Sequence, residues 1–350
     1  MRIRVLIGTA KGAFRLETDN RCAPWRLEGP FFKGWRVTAF SRGAQDNGDW
    51  LAATASPVYG AAIHRSDDLI SWRQVEDGPR GDADGDTKLN EIWTMHRAGA
   101  TLFAGVDEAA LFRSDDGGGI WRRVDGLTSH ASRDSWFPGF GGLCAHSILS
   151  DPSSSRLWVG ISAVGVFRSD DDGATWTPKN AGVRQMIDGG CSDIGYCVHS
   201  LAADADAPDR IFRQDHAGMY RTDDGGDSWT AIESGLPSSF GFPLARARGA
   251  LFAVPLESDE YRMPTDGALR LYKSEDDGAT WRAAGEGLPS EHAYTGVLRA
   301  GLATDGGDPA GVYLGTSSGT VHVSADAGET FTTIPCLLPR ILCVEAFQLD

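Results

Sequence analysis

The sequence predicts an all-β chain, a seven-bladed β-propeller of four-stranded antiparallel blades closed by the C-terminal strand pairing into the N-terminal blade. Three observations predict it. A short turn motif recurs from end to end, alternating β-rich runs flank each copy, and helix signals are nearly absent because 44 glycines and 16 prolines interrupt the long windows.

The motif reads Ser or Thr, any residue, Asp, any residue, Gly, two more, then Trp or Phe. It occurs as Ser114/Asp116/Gly118/Trp121, Ser169/Asp171/Gly173/Trp176, Thr222/Asp224/Gly226/Trp229, Ser274/Asp276/Gly278/Trp281 and Ser324/Asp326/Gly328/Phe331. A shortened copy without the Gly, Ser66-Asp67-Asp68-Leu69-Ile70-Ser71-Trp72, precedes these, and a worn one lies between Thr18-Asp19 and Trp25. Runs such as Gly165-Val166-Phe167-Arg168 before a copy, and the aromatic that opens a second run after it, place each copy in a hairpin turn. Gly takes the positive φ that closes the turn, the Ser/Thr and Asp side chains bond turn amides, and the aromatic folds beneath.

Copies begin at residues 66, 114, 169, 222, 274 and 324. A period of about 50 residues is that of one four-stranded blade, so 350 residues make seven blades in one domain. The blades are 1–34 with 340–348, then 35–79, 91–127, 143–183, 195–236, 240–287 and 296–336. The N-terminal blade has strands at Ile3 to Gly8, Gly12 to Leu16 and Trp25 to Gly29 but no first strand. The unpartnered run Arg340 to Phe347 supplies it and removes the free sheet edges.

In an antiparallel meander the turn motif, joining strands three and four, shares an end with the turn between strands one and two. The other end then carries the links between blades and the turns between strands two and three. The long insertions fall there: Pro79 to Asn90, Thr128 to Gly142, Gly182 to Gly195 and Pro255 to Ala268. Extended loops around one mouth of a ring build a pocket, which makes this the expected functional face.

A net charge of −15 argues against nucleic-acid and anionic-membrane partners, although much of the acid sits in the exposed turns themselves. The six cysteines show no paired metal spacing and read as buried free thiols. The N-terminal residues read as a strand rather than a secretory leader, so a cytoplasmic protein is expected.

Two groups carry the chemistry. His146 and His199 hold equivalent places early on the innermost strands of neighbouring blades, with Trp93, Arg299 and Glu345 at the same level of others. Either they form a titratable floor across the tunnel, or each histidine bonds a neighbouring strand and packs blades together. Glu257, Asp259, Tyr261 and Arg262 lie on the densest polar insertion, where carboxylates serve as an acid/base pair or cation ligands, or are simply solvated. His216 and Glu108 fall in strand two-to-three turns, His292 and Trp136 belong to inter-blade links on that same end, and Tyr196 lines the same mouth. His146, His199 and His216 with a carboxylate make a candidate divalent-metal set. Cysteine catalysis at Cys144 or Cys197, each two residues before a histidine, is disfavoured by a Cα separation of about 7 Å along a strand.

On the turn motifs quoted above, the chain resembles the Asp-box, BNR-repeat β-propellers, a group that spans sialidases, sortilin-type receptors and photosystem assembly factors. It is similar to bacterial members described as exo-α-sialidase-like or glycosyl-hydrolase-like. The resemblance implies the fold strongly and the activity weakly, since the motif is a structural staple. Sialidases have six blades, an Arg-Ile-Pro near the N-terminus, three arginines gripping a carboxylate, and a Tyr nucleophile paired with Glu. Here Arg262-Met263-Pro264 lies far along the chain and no arginine triad can be assigned, so Tyr261 and Glu257 only imitate such a couple and true sialidase activity is not expected.

Three functional readings follow. The first is a hydrolase-like acid/base enzyme acting on a small polar, glycoside-like molecule at the loop-rich mouth, with His199, His146, Glu257, Asp259, His216 and Tyr196 as catalytic candidates. Its substrate contacts would come from Trp93, Arg299, Glu345, Tyr261, Arg262, His292, Trp136 and Glu108; the sequence assigns it no cofactor and leaves a divalent metal open. The second is a non-catalytic module that grips a protein partner. The third is a metal-dependent form of the first.

Overall fold

Burial along the strands shows how the sheets are stacked. Leu157–Ile161 is buried on both faces, whereas the outermost pair Thr177–Pro178 of the same sheet is largely exposed. A strand alternates its side chains between two faces, so burial of both means that each sheet is covered by a neighbour on either side.

The computed structural model describes residues 2–20, 24–43, 49–81, 89–139, 141–185, 193–204 and 206–349. Five four-stranded antiparallel sheets follow one another along the chain, each a meander in sequence order. Their innermost strands are Arg36–Arg42, Ile92–Ala98, Ala145–Ser150, Val198–Asp204 and Gly241–Ala247. The remaining strands form an eight-stranded sheet whose two halves meet at a single parallel bridge, Ala300 with Cys343. One half begins with Val297–Thr304. In the other, the C-terminal strand Ile341–Leu349 lies antiparallel to Arg2–Thr9, with Val5 opposite Ala346 and Leu6 opposite Glu345. Each innermost strand touches the next in sequence, and Ile341–Leu349 touches both Val297–Thr304 and Arg36–Arg42.

The expected turn chemistry is present in detail. In the copy at Ser169, the buried hydroxyl accepts the Gly173 N–H and donates to Asp171 Oδ1, which also accepts the Thr175 N–H, each of the three bonds being 2.8 Å. Gly173 sits at φ +92°, and the Trp176 indole N–H returns to the Gly173 carbonyl at 3.0 Å. The copy without Gly closes one residue earlier. There the buried Leu69 takes φ +62°, and its N–H reaches the Ser66 hydroxyl at 2.8 Å.

The acidic face differs from a simply solvated one. Arg113 joins Asp115 of its own turn to Asp172 of the next, and Arg156 joins Asp170 to Asp209. Arg210 likewise joins Asp223 to Asp277, and Lys273 joins Glu275 to Glu329. The turn carboxylates therefore link consecutive sheets along one rim. Bonds from Ser155 and Arg156 to Asp170 set the first-to-second turn beside the motif, as the meander requires. Of the long insertions at the other end, Thr128 to Gly142 and Pro255 to Ala268 are mostly described and contain the short helical turns Arg133–Ser135 and Thr265–Gly267. Much of Pro79 to Asn90 and Gly182 to Gly195 lies outside the described residues, as do Cys22 and Cys191. No helix among the described residues is long and apolar enough to cross a membrane.

Candidate functional site

The innermost strands all start at the loop-rich end, and their early residues surround a cavity of about 700 Å³. Trp93, His146, His199, Phe242, Arg299 and Glu345 line it, each from a different innermost strand, together with Arg262 from the insertion after Pro255. The structure thus brings together the five residues that strand alignment put at one level, and adds Phe242, which alignment did not single out.

The wall is rich in polar atoms that the protein leaves unsatisfied. Both ring nitrogens of His146, the indole N–H of Trp93 and the Nε of Arg299 are buried with no hydrogen-bond partner. An unpaired buried polar group costs about 1–3 kcal/mol, more when charged, so a concentration of them on one wall needs an explanation. Arg299 lies over the Phe242 ring at 4.8 Å, and Arg262 approaches the same ring at 5.6 Å. Among the described residues no carboxylate pairs with Arg299, and its burial lowers its proton affinity. Burial also holds His146 neutral, well below the usual histidine pKa, and raises the Glu345 carboxyl to about 7. Nearby, Glu91 is raised by burial while its ion pair with Arg36 at 2.8 Å opposes the shift.

The two equivalent histidines have different fates. His146 is the unpartnered floor residue. His199 bonds the neighbouring strand, its Nδ1–H donating to the Gly241 carbonyl at 2.6 Å, and its ring packs against Phe240 and Phe242. A carbonyl only accepts, so Nδ1 carries the proton and Nε2 keeps its lone pair.

Next to His199 stands a second polar group. His216 donates Nε2–H to Asp259 Oδ2 at 2.8 Å, and the Cys197 thiol lies close by, with a His216 ring nitrogen within 4.8 Å of its sulfur. The Ser162 hydroxyl lies 3.6 Å from the same sulfur. Burial opposes ionisation of Cys197, but the bonds from His216 and Ser162 outweigh it and lower the thiol's pKa. His216 is raised, chiefly by its Cys197 bond, and Asp259 is lowered, chiefly by its His216 bond. By contrast, burial drives Cys144 up to about 12.

This grouping departs from the expected cysteine pairing. The partner of Cys197 is not His199 two residues along the strand but His216 across the sheet. The signal lay in the antiparallel register: Val198 faces Asp215, so Cys197 faces His216, whose N–H bonds the Cys197 carbonyl at 2.9 Å. The metal-type cluster is correspondingly Cys197, His199 and His216, with donor atoms all within 4.8 Å of one another, and His146 stands outside it.

Other candidates do not line the cavity. Glu257, Glu108 and His292 are exposed, and Tyr261 is 57% exposed. Trp136 is a core side chain packed on Phe167, with its indole N–H on the Ser132 hydroxyl. Tyr196 is buried in the neighbouring core cluster beneath the Arg213 guanidinium.

No protein-family model matches the chain. An oligoxyloglucan-reducing end-specific xyloglucanase of Emericella nidulans is 27% identical over 206 residues, covering 56% of this chain. The chain spans only 24% of that relative's length. Among solved structures, YCF48 bound to D1 peptide superimposes with a TM-score of 0.54 at 12% identity, covering 85% of this chain and 82% of that one. An ancestral GH74 enzyme gives 0.54 at 14% identity, covering 89% of this chain and 38% of the other. These likenesses show the fold. The chain is a β-propeller. The matched proteins include both a glycoside-hydrolase enzyme and a protein solved with a bound peptide.

Proposed function

We propose that this propeller is an enzyme with hydrolase-like acid/base chemistry, acting on a small polar molecule that carries an anionic group and binds in the axial cavity. The frame for that reading is a single seven-bladed wheel of Asp-box type, closed by Ile341–Leu349 beside Arg2–Thr9. The observation that carries it is Arg299: a half-buried arginine in the cavity wall whose Nε is buried and unbonded, with no carboxylate partner among the described residues. A partly desolvated cation without a counter-ion is costly, and an anionic ligand offsets that cost. Trp93 supplies a free donor, and His146 and Glu345 supply a neutral imidazole and a carboxyl poised near pH 7 for proton transfer.

Thermal unfolding in the presence of sugar acids, lactones and sugar phosphates tests this. A ligand at about 100 times its Kd should stabilise the chain by about 2.7 kcal/mol. Arg299→Met, similar in length but uncharged, should lose that response while folding normally. No stabilisation by any anionic ligand, or an equal response in the variant, would remove the reading.

A protein-binding role has one observation in its favour. Tyr59, Phe137, Tyr261, Tyr294 and Leu337 are all well exposed, and all lie on loops of the same mouth. An apolar rim of this kind suits a docked peptide as well as an enzyme's entrance.

A further inference from the structure

Resting on the enzymatic reading of the cavity and deepening it, we propose that Cys197, His199 and His216 bind a zinc ion through Sγ, Nε2 and Nδ1, forming a three-ligand centre in the cavity wall.

The donor set selects the metal. One thiolate with two imidazoles suits zinc, whereas magnesium and calcium take oxygen ligands. The three donor atoms already lie within 4.8 Å of one another. Bond lengths of about 2.0–2.3 Å in a tetrahedral ion require separations of roughly 3.3–3.8 Å, so small side-chain rotations complete the site. Three protein ligands leave one tetrahedral position for a non-protein ligand, the pattern of catalytic rather than structural zinc.

The independent support lies behind the ligands. Metal-binding histidines donate their remote ring N–H to a carboxylate or backbone carbonyl, which fixes the tautomer and aims the lone pair at the ion. Both histidines here are arranged that way: His199 donates Nδ1–H to the Gly241 carbonyl, and His216 donates Nε2–H to Asp259. Each therefore turns an unprotonated nitrogen toward the cluster. The Ser162 hydroxyl beside the sulfur provides the matching donor for a thiolate. Phe240 and Phe242 pack around His199 and give the group an apolar shell. His199 also lines the cavity, so an ion held here would place a Lewis acid at the edge of the proposed ligand site.

The same three side chains with Asp259 also form a Cys-His-Asp constellation of the kind that activates a thiol nucleophile. The second histidine decides between them. His199 is spare in a nucleophilic triad but is a third ligand, with its tautomer already set, in a metal centre.

The test uses the full chain, stripped of metal and titrated with Co²⁺ as a spectroscopic probe, alongside zinc content of the chain as purified. The expected result is about one zinc per chain and a thiolate-to-cobalt charge-transfer band saturating at about one equivalent. Cys144→Ser should keep the band and Cys197→Ser should lose it, with near-UV circular dichroism confirming that both fold. Asp259→Asn should weaken zinc binding about 10–100-fold. Absence of the band in the unmodified chain overturns the inference without reliance on any variant. So does a band that survives in Cys197→Ser, or rapid alkylation of Cys197 by iodoacetamide that zinc does not slow. A chain that binds cobalt this way but is stabilised by no anionic ligand keeps the metal centre and loses the cavity reading. Ligand stabilisation without the band does the reverse.

Discussion

Glu345 shows how one side chain reports on the cavity. Its carboxyl is fixed on the innermost C-terminal strand opposite Leu6, and burial raises its pKa from 4.5 to about 7. The folded state therefore holds this proton more tightly than the unfolded chain does. Its contribution is most favourable below pH 4.5, declines as pH rises through the window to about 7, and is flat above that. The full shift amounts to roughly 3 kcal/mol, and screening by water in the cavity should bring it nearer to about 2 kcal/mol. Glu345→Gln should therefore be more stable than the parent at pH 8 by about that amount, and nearly equal to it at pH 4.5. Denaturant unfolding at the two values checks this, and a constant difference between the chains would show that the carboxyl is not shielded. At this scale the sequence was informative where side chains stand on strands. Trp93, His146, His199, Arg299 and Glu345 share a level because strand geometry sets both height and facing. Glu257, Tyr261 and His292 stand on loops, where no periodicity dictates direction, and they are exposed and do not line the cavity.

The recurrent hairpin is the element on which the architecture depends, and its energetics are local. Ser169 is fully buried and bridges the Gly173 N–H to Asp171. Ser169→Ala leaves that buried N–H unsatisfied, which should cost about 1–3 kcal/mol in denaturant unfolding. A loss below about 0.5 kcal/mol would mean that the turn holds without the bond. Asp224 of the next copy is held at about 2, against burial, by hydrogen bonds from Ser228 and Thr222, so its share of stability is present above pH 4 and fades as pH falls through 2. The turn was legible because its residue types answer a local need for bonded amides and a positive φ. The arginine links between neighbouring copies were not legible. Arg113, Arg156 and Arg210 reach from one sheet to the carboxylate of the next, and that distance depends on how the sheets stack rather than on sequence spacing.

For the whole molecule, the decisive strand is the last one. Ile341–Leu349 pairs with Arg2–Thr9 along its length and also touches Val297–Thr304 and Arg36–Arg42, so it is shared between both ends of the chain and the sheets on either side. Its need was visible in the sequence because the N-terminal blade has too few strands and the C-terminal run has no partner of its own. The cavity's chemistry was less visible, since the pairing of Cys197 with His216 and Asp259 joins two sheets through a loop. Burying Ile341 and Val344 alone contributes about 3–6 kcal/mol, against a total stability of about 5–15 kcal/mol for an ordinary domain. A chain ending at Arg340 should therefore lose cooperative unfolding and expose the Arg2–Thr9 edge to aggregation. Adding a peptide of residues 341–349 should restore the transition, because the strand enters by edge pairing and not by the covalent link. A truncated chain that melts cooperatively within a few degrees of the full-length protein would show that the sheets hold together without this strand. The cavity bounded by Glu345 would then not depend on the pairing of this strand with Arg2–Thr9.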